Sequence, residues 1–172
     1  MKKVLKIVLG IVICLYLVIA AISTGFLLKR NEYNVTKFFD YSLFIVDDDS
    51  LGEEYPKESL LAIKDVANED ISIGDYVFYY DTYSTDKVIR FDKVTKKENI
   101  TDAETTYTIR DNNLVSSQYI IGTKESTSTF TFLGKVMNVL QSKWGFLFII
   151  VFPIFLAFIY ELYAIVKEIK NK

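Results

Sequence analysis

A chain of 172 residues with 20 Lys and Arg against 22 Asp and Glu has room for one ordinary domain and no basic excess for nucleic acid. It contains no histidine and a single cysteine, Cys14. That composition excludes Ser-His-Asp and Cys-His catalysis, His-ligated metal sites, His-based pH switching and any intrachain disulfide. The first element in chain order is an uncharged run of 22 residues, Ile7 to Leu28, between Lys2, Lys3 and Lys6 and the pair Lys29-Arg30. As a helix it is long enough to cross a hydrocarbon core of roughly 30 Å. Ala21-Ile22-Ser23 offers a small-x-small cleavage pattern. The apolar run exceeds the roughly 7–15 residues of a cleavable signal, so an uncleaved anchor is expected.

The middle of the chain, Asn31 to Lys143, carries 12 Lys and Arg against 20 Asp and Glu, a net of −8. An acidic domain argues against docking on nucleic acid or on anionic lipid. Short runs rich in Val, Ile, Tyr, Phe and Thr predict strands over 41–46, 59–64, 76–80, 87–95, 105–109, 118–121 and 129–133. Turn signals separate them: Asp47-Asp48-Asp49, Gly74-Asp75, the 81–86 stretch, the 99–102 stretch, Asp111-Asn112-Asn113 and Gly122. This spacing predicts a mainly β domain, a small barrel or sandwich, and not βαβ units.

Leu133, Val136, Met137 and Leu140 fall at i, i+3, i+4 and i+7, which predicts a short amphipathic helix over 133–142, its apolar face on the β domain or on a membrane. A second apolar run of 22 residues, Gly145 to Val166, follows, interrupted only by Glu161. Trp144, Tyr160 and Tyr163 suit a membrane interface, and neighbouring groups in a membrane helix can satisfy the carbonyl freed by Pro153. The expected organisation is a tail (1–6), a span (7–28), a β domain (29–143), a span (144–166) and a tail (167–172). Two spans put both tails on one side. Near-membrane Lys and Arg hardly separate the orientations and lean slightly to cytoplasmic tails.

Between the first two strand runs lies the most distinctive stretch, Phe44 to Lys64. Ser50 follows a hydrophobic strand, where a nucleophile can be displayed, but Asp47, Asp48 and Asp49 crowd one side and Glu53 and Glu54 the other. The plainer role for Ser50 is a turn serine capping backbone N–H groups. The aspartate run lacks the Asp-x-Asp-x-Asp-Gly spacing of a calcium loop. No metal and no cofactor are expected.

Read together, these parts resemble type I signal peptidases, in particular the shorter branch with an anchor at each end. The stretch from Ser50 to Leu60, SLGEEYPKESL, is similar to the family's nucleophile box and Pro-Lys-Gly-Ser turn. Ile71 to Tyr79 resembles its Gly-Asp-then-hydrophobic strand, and Thr106 to Asn113 its Gly-Asp-Asn box. Tyr119-Ile120-Ile121-Gly122 and Leu133 to Val136 resemble the end of the shorter branch. The resemblance implies a serine nucleophile at Ser50 and a cleft including Asp48, Asp49, Ser50, Leu51, Arg90 and Asp111.

It also implies a basic residue in the strand after the Gly-Asp box, where this chain departs from the pattern. Aligned one way Arg90 takes the base position, and aligned the other way Phe91 does. Neither can accept a proton from a serine. Lys87 and Lys93 sit at odd offsets from Arg90, on the opposite face of a regular strand. Only a bulge or register shift would bring either to the site. Glu53 and Glu54 replace the family's proline and threonine. Carboxylates here stabilise an ammonium against becoming a base and repel a developing oxyanion.

Two functional expectations follow from the resemblance. One is a membrane-anchored protein that has lost the protease chemistry and keeps a peptide-binding cleft, similar to the signal-peptidase-like proteins found beside sortase-built pili of Gram-positive bacteria. Its partners would be secreted or pilin precursors bound as an added strand, with an assembly enzyme such as a sortase nearby. The other is an active signal peptidase using Ser50 with Lys87 or Lys93. A third, without cleft function, is a plain anchored β domain.

Overall fold

The structure is a computed structural model and describes residues 2–100, 104–109 and 113–170. Two compact units form, one of Lys29–Lys135 and one of Met1–Leu28 with Val136–Lys172.

In the first unit, nine strands are present among the described residues: β1 (Thr36–Phe38), β2 (Tyr41–Ile45), β3 (Leu60–Lys64), β4 (Tyr76–Tyr80), β5 (Ile89–Asn99), β6 (Thr105–Ile109), β7 (Asn113–Ser116), β8 (Ile120–Thr123) and β9 (Thr127–Phe130). They build a four-stranded sheet in the order β1-β2-β3-β9 and a five-stranded sheet in the order β7-β6-β5-β4-β8. Every pairing is antiparallel. A β domain of two antiparallel sheets between terminal apolar helices is therefore the architecture.

Residue alternation in β4 explains how the sheets are filled. Side chains alternate across a strand, so Phe78 faces one core while Val77 and Tyr79 face another. The first core gathers Phe44, Val46, Leu61, Ile63, Phe78 and Ile121, among others. The second gathers Ile71, Val77, Tyr79, Val94, Tyr107, Ile109 and Val115. β4 is apolar on both faces because both are covered. At Gly122 on β8 a side chain would collide with the Ile63 side chain and stand 3.0 Å from the Lys64 carbonyl, so glycine lets β8 lie close over β3.

Several strand boundaries differ from the sequence reading. β5 begins at Ile89, not Lys87, and continues to Asn99 because its second half pairs with β6, with a bulge between Val94 and Lys96. β1 and β7 are additional edge strands. The segment read as a strand over 129–133 divides: β9 ends at Phe130 and helix α2 runs from Thr131 to Gln141.

The second unit contains α1 (Lys2–Leu28) and α3 (Lys143–Lys170). Both are long and apolar enough to cross a membrane. α3 includes a π-helical stretch, Phe146–Val151, which ends two residues before Pro153. Proline has no N–H to return to the Ile149 carbonyl four residues back. The Tyr16 hydroxyl of α1 supplies it instead, donating to the Ile149 carbonyl at 2.9 Å and the Ile150 carbonyl at 2.8 Å. Ala20, Leu140 and Ile150 pack together nearby. We expect Tyr16→Phe to weaken this helix pairing by about 1 kcal/mol, measured by thermal or denaturant unfolding in micelles. Adding Pro153→Ala, which restores a backbone donor for Ile149, should shrink that cost. An undiminished cost would separate Tyr16 from the proline.

Candidate functional site

Residues 47–58 connect β2 to β3 as an acidic loop fastened at both ends. The Val46 N–H donates to the Ser59 carbonyl and the Glu58 N–H to the Val46 carbonyl, continuing the β2–β3 ladder under the loop. From the other side, α2 presses on Glu58 to Leu60. Gly134 leaves no room for a side chain against the Glu58 carbonyl and the Leu60 N–H, and Ser59 Oγ lies 3.5 Å from Thr131 Oγ1. Within the loop, Leu51 and Tyr55 are buried, while Asp47 through Ser50 and Gly52 through Glu54 are exposed. The Tyr55 ring stands 5.0 Å from both Phe78 and Phe91. Two apolar side chains thus hold a charged loop on the core.

Ser50 is held by Asp48. Its backbone N–H donates to Asp48 Oδ1 at 3.0 Å, an Asx turn. Hydrogen bonds from the Ser50 hydroxyl and N–H, aided by the charges of Arg90 and Lys57, hold the Asp48 carboxyl below the usual range despite some burial. Two other carboxylates of the loop have partners elsewhere. Asn34 Nδ2 lies 3.5 Å from Asp47, and Glu54 pairs with Lys124 at 2.7 Å. Asp48 is thus the loop carboxylate in direct contact with Ser50.

A cavity of about 60 Å³ opens beside the loop, lined by Asp47, Asp48, Ser50, Leu51 and Lys87 with Tyr33, Phe44 and Ile89 among the others. It is far smaller than a drug-sized ligand pocket of roughly 300–1,000 Å³ and matches a small side chain. Of the residues the sequence singled out, Asp48, Ser50, Leu51 and Lys87 meet at this cavity; Asp49, Arg90 and Lys93 do not line it. Asp111 and Arg110 lie outside the described residues.

Lys87 reaches the cavity for a reason that strand parity hides: it precedes β5 and belongs to the loop from Asp81. Its ammonium is 3.5 Å from Glu32 and 5.3 Å from the centre of the Tyr33 ring. Both contacts use the charged form, whereas a general base needs the free amine. Lys93 remains on the strand, opposite Tyr76 and exposed.

The two residues that alignment offers at the base position have structural work. Phe91 lies opposite Phe78, 4.6 Å between ring centres, and packs on Tyr55 and Tyr76. Arg90 Nε donates to Asp81 Oδ2 at 2.9 Å, and this bond raises the guanidinium pKa further. Burial would raise the Asp81 carboxyl, but hydrogen bonds from Arg90 and the N–H groups of Tyr83 and Ser84 outweigh it and hold it low. Asp81, Glu32 and Tyr33 were not singled out by sequence. An Asp at a strand end followed by Thr-Tyr-Ser is a local signal for the turn that Asp81 caps, whereas the pairs with Arg90 and Lys87 are tertiary. Among the described residues no three His, Cys, Asp or Glu side chains converge to hold a metal ion.

Buried phenols around the site make the domain sensitive to alkali. Burial first, then nearby carboxylates, pushes Tyr55 and Tyr79 from 10.0 up to about 12. The folded state prefers the neutral phenol, so this contribution is complete below the unfolded pKa near 10 and is lost as pH climbs toward about 12. Unfolding followed by circular dichroism should show stability falling across that window, less steeply in a Tyr79→Phe variant.

Comparisons with protein-family models, curated proteins and solved structures found no match to this chain.

Proposed function

We propose that this is a membrane-anchored, signal-peptidase-like protein without protease activity, which binds segments of secreted or pilin precursors as an accessory factor in surface-protein or pilus assembly. The observation that carries the reading is the state of the serine. The Ser50 backbone N–H is tied to the Asp48 carboxylate, and the residue at the aligned base position is either an arginine committed to Asp81 or a phenylalanine packed against the core. The cavity beside it has the dimensions of a side-chain subsite. Apolar walls from Tyr33, Phe44 and Ile89 beside Asp47 and Asp48 suit a small side chain in an extended segment with basic flanks. In this reading the two apolar helices span the cell membrane, the tails are cytoplasmic and the β domain is extracytoplasmic, with a sortase as a neighbouring assembly enzyme.

A second reading, an active signal peptidase, is favoured by one observation: Lys87 lines the same cavity as Ser50. It requires Lys87 to leave Glu32 and Tyr33 and lose its proton. The experiment that tests the accessory role uses the full chain in its native membrane, with a photo-crosslinker at Val88 on the cavity rim. Capture of precursor segments at Val88, and not at the exposed control position Ile73, is expected. Normal surface-protein and pilus assembly in a deletion strain would overturn the role and leave a plain anchored domain.

A further inference from the structure

The β1–β2 hairpin has a tip that is costly in water. Its two-residue loop is Phe39-Asp40, and Phe39 adopts φ +51° while 86% of its surface is exposed. A positive φ at the first position of such a loop ordinarily selects glycine, and a bulky side chain there is strained. The neighbouring Phe38 is 54% exposed and meets Phe39 edge to face at 4.8 Å. Two exposed phenylalanines at one tip, one in a strained conformation, find no reason in the packing of the domain.

Their surroundings give one. Lys29 is the residue directly after the apolar run that ends at Leu28, and its ammonium lies 5.8 Å from the centre of the Phe38 ring. Arg30 bridges antiparallel to Thr36, drawing β1 back along the chain that leaves the helix. The tip therefore lies within a side chain's reach of Lys29, the first residue after the apolar run. Aromatic rings beside Lys and Arg at the end of an apolar span are the composition of a bilayer interface, where rings enter the headgroup–acyl boundary and cations meet phosphates. From this placement we infer that Phe38 and Phe39 form a lipid-inserted wedge that anchors the β domain to the surface of the bilayer crossed by α1. The inference rests on α1 spanning a bilayer and is independent of the signal-peptidase-like reading.

The test uses the full-length chain in phosphatidylcholine–phosphatidylglycerol vesicles. Trp144 is the single tryptophan, so Trp144→Phe with Phe39→Trp reports position 39 alone. Tyr83→Trp in the same background, on an exposed loop, is the control. Quenching by lipids brominated near the headgroup should be at least twofold stronger at position 39 than at 83, with aqueous iodide showing the reverse order. Equal quenching at the two positions would overturn the wedge, as would iodide reaching position 39 freely; the exposed rings would then point to a protein partner absent from the vesicles. Should the tryptophan variants misfold, Phe39→Cys with Cys14→Ser, labelled with a polarity-sensitive dye, gives the same comparison.

Discussion

Replacing Gly134 with alanine is expected to destabilise the β domain by about 3 kcal/mol, the upper part of the range for overpacking. For a unit of this size that lowers the thermal midpoint by roughly 10 °C or more. The reason is the identity of the atoms a methyl group would meet. The Glu58 carbonyl, the Leu60 N–H and the Ser59 carbonyl carbon at 2.6 Å are all backbone, and they belong to the ladder that closes the acidic loop. A flexible side chain could swing away; this backbone can yield only if α2 lifts from β3. Gly10→Ala is the control, since nothing lies within 4 Å of the added carbon. On an open helix face alanine is favoured over glycine by about 1 kcal/mol. Melting the full chain in micelles compares the two. Similar midpoints would mean that α2 does not press on the loop base.

A second large effect is expected at Tyr55, where substitution by alanine should cost about 3 kcal/mol. The buried ring wedges between Phe78 and Phe91, and removing it leaves a cavity that neighbouring strands cannot close. Ser50→Ala, only a few residues away on the same loop, is expected to stay within about 0.5 kcal/mol because Ser50 is exposed. The contrast matters for function. On the proposed accessory role, Tyr55→Ala should abolish precursor capture at the cavity by freeing the loop, while Ser50→Ala should preserve both fold and capture. Denaturant unfolding of the two variants separates loop anchoring from serine chemistry.

Much of the scaffold was legible in the sequence because its signals are local. Two apolar 22-residue runs, the second interrupted only by Glu161, announced the terminal helices, and short Val-, Ile-, Tyr-, Phe- and Thr-rich runs bounded by turn residues delimited β4 and β6 at their observed ends. β1 was hidden because its hairpin turns through Phe39 and Asp40 without the glycine or asparagine such a loop normally shows. β9 was misplaced because Thr131 to Leu133 suits a strand as well as a first helical turn, and packing of Thr131 and Gly134 on β3 decided for the helix. At the site, the exposure of Ser50 followed from its aspartate neighbours. The position of Lys87 did not, because parity applies only within a strand and β5 starts two residues later. The partners that occupy Arg90 and Lys87 come from other segments, and no spacing rule points to them.

The most direct test of the central claim is preprotein cleavage by the purified full-length chain in lipid vesicles, read by gel over many hours. Wild type, Ser50→Ala and Lys87→Ala should all show only the background rate of empty vesicles, because Arg90 is bonded to Asp81, Phe91 cannot take a proton and the Lys87 ammonium is engaged by Glu32 and Tyr33. Signal-peptide removal by the wild type that both substitutions abolish would contradict the account and establish Ser50 and Lys87 as a working pair.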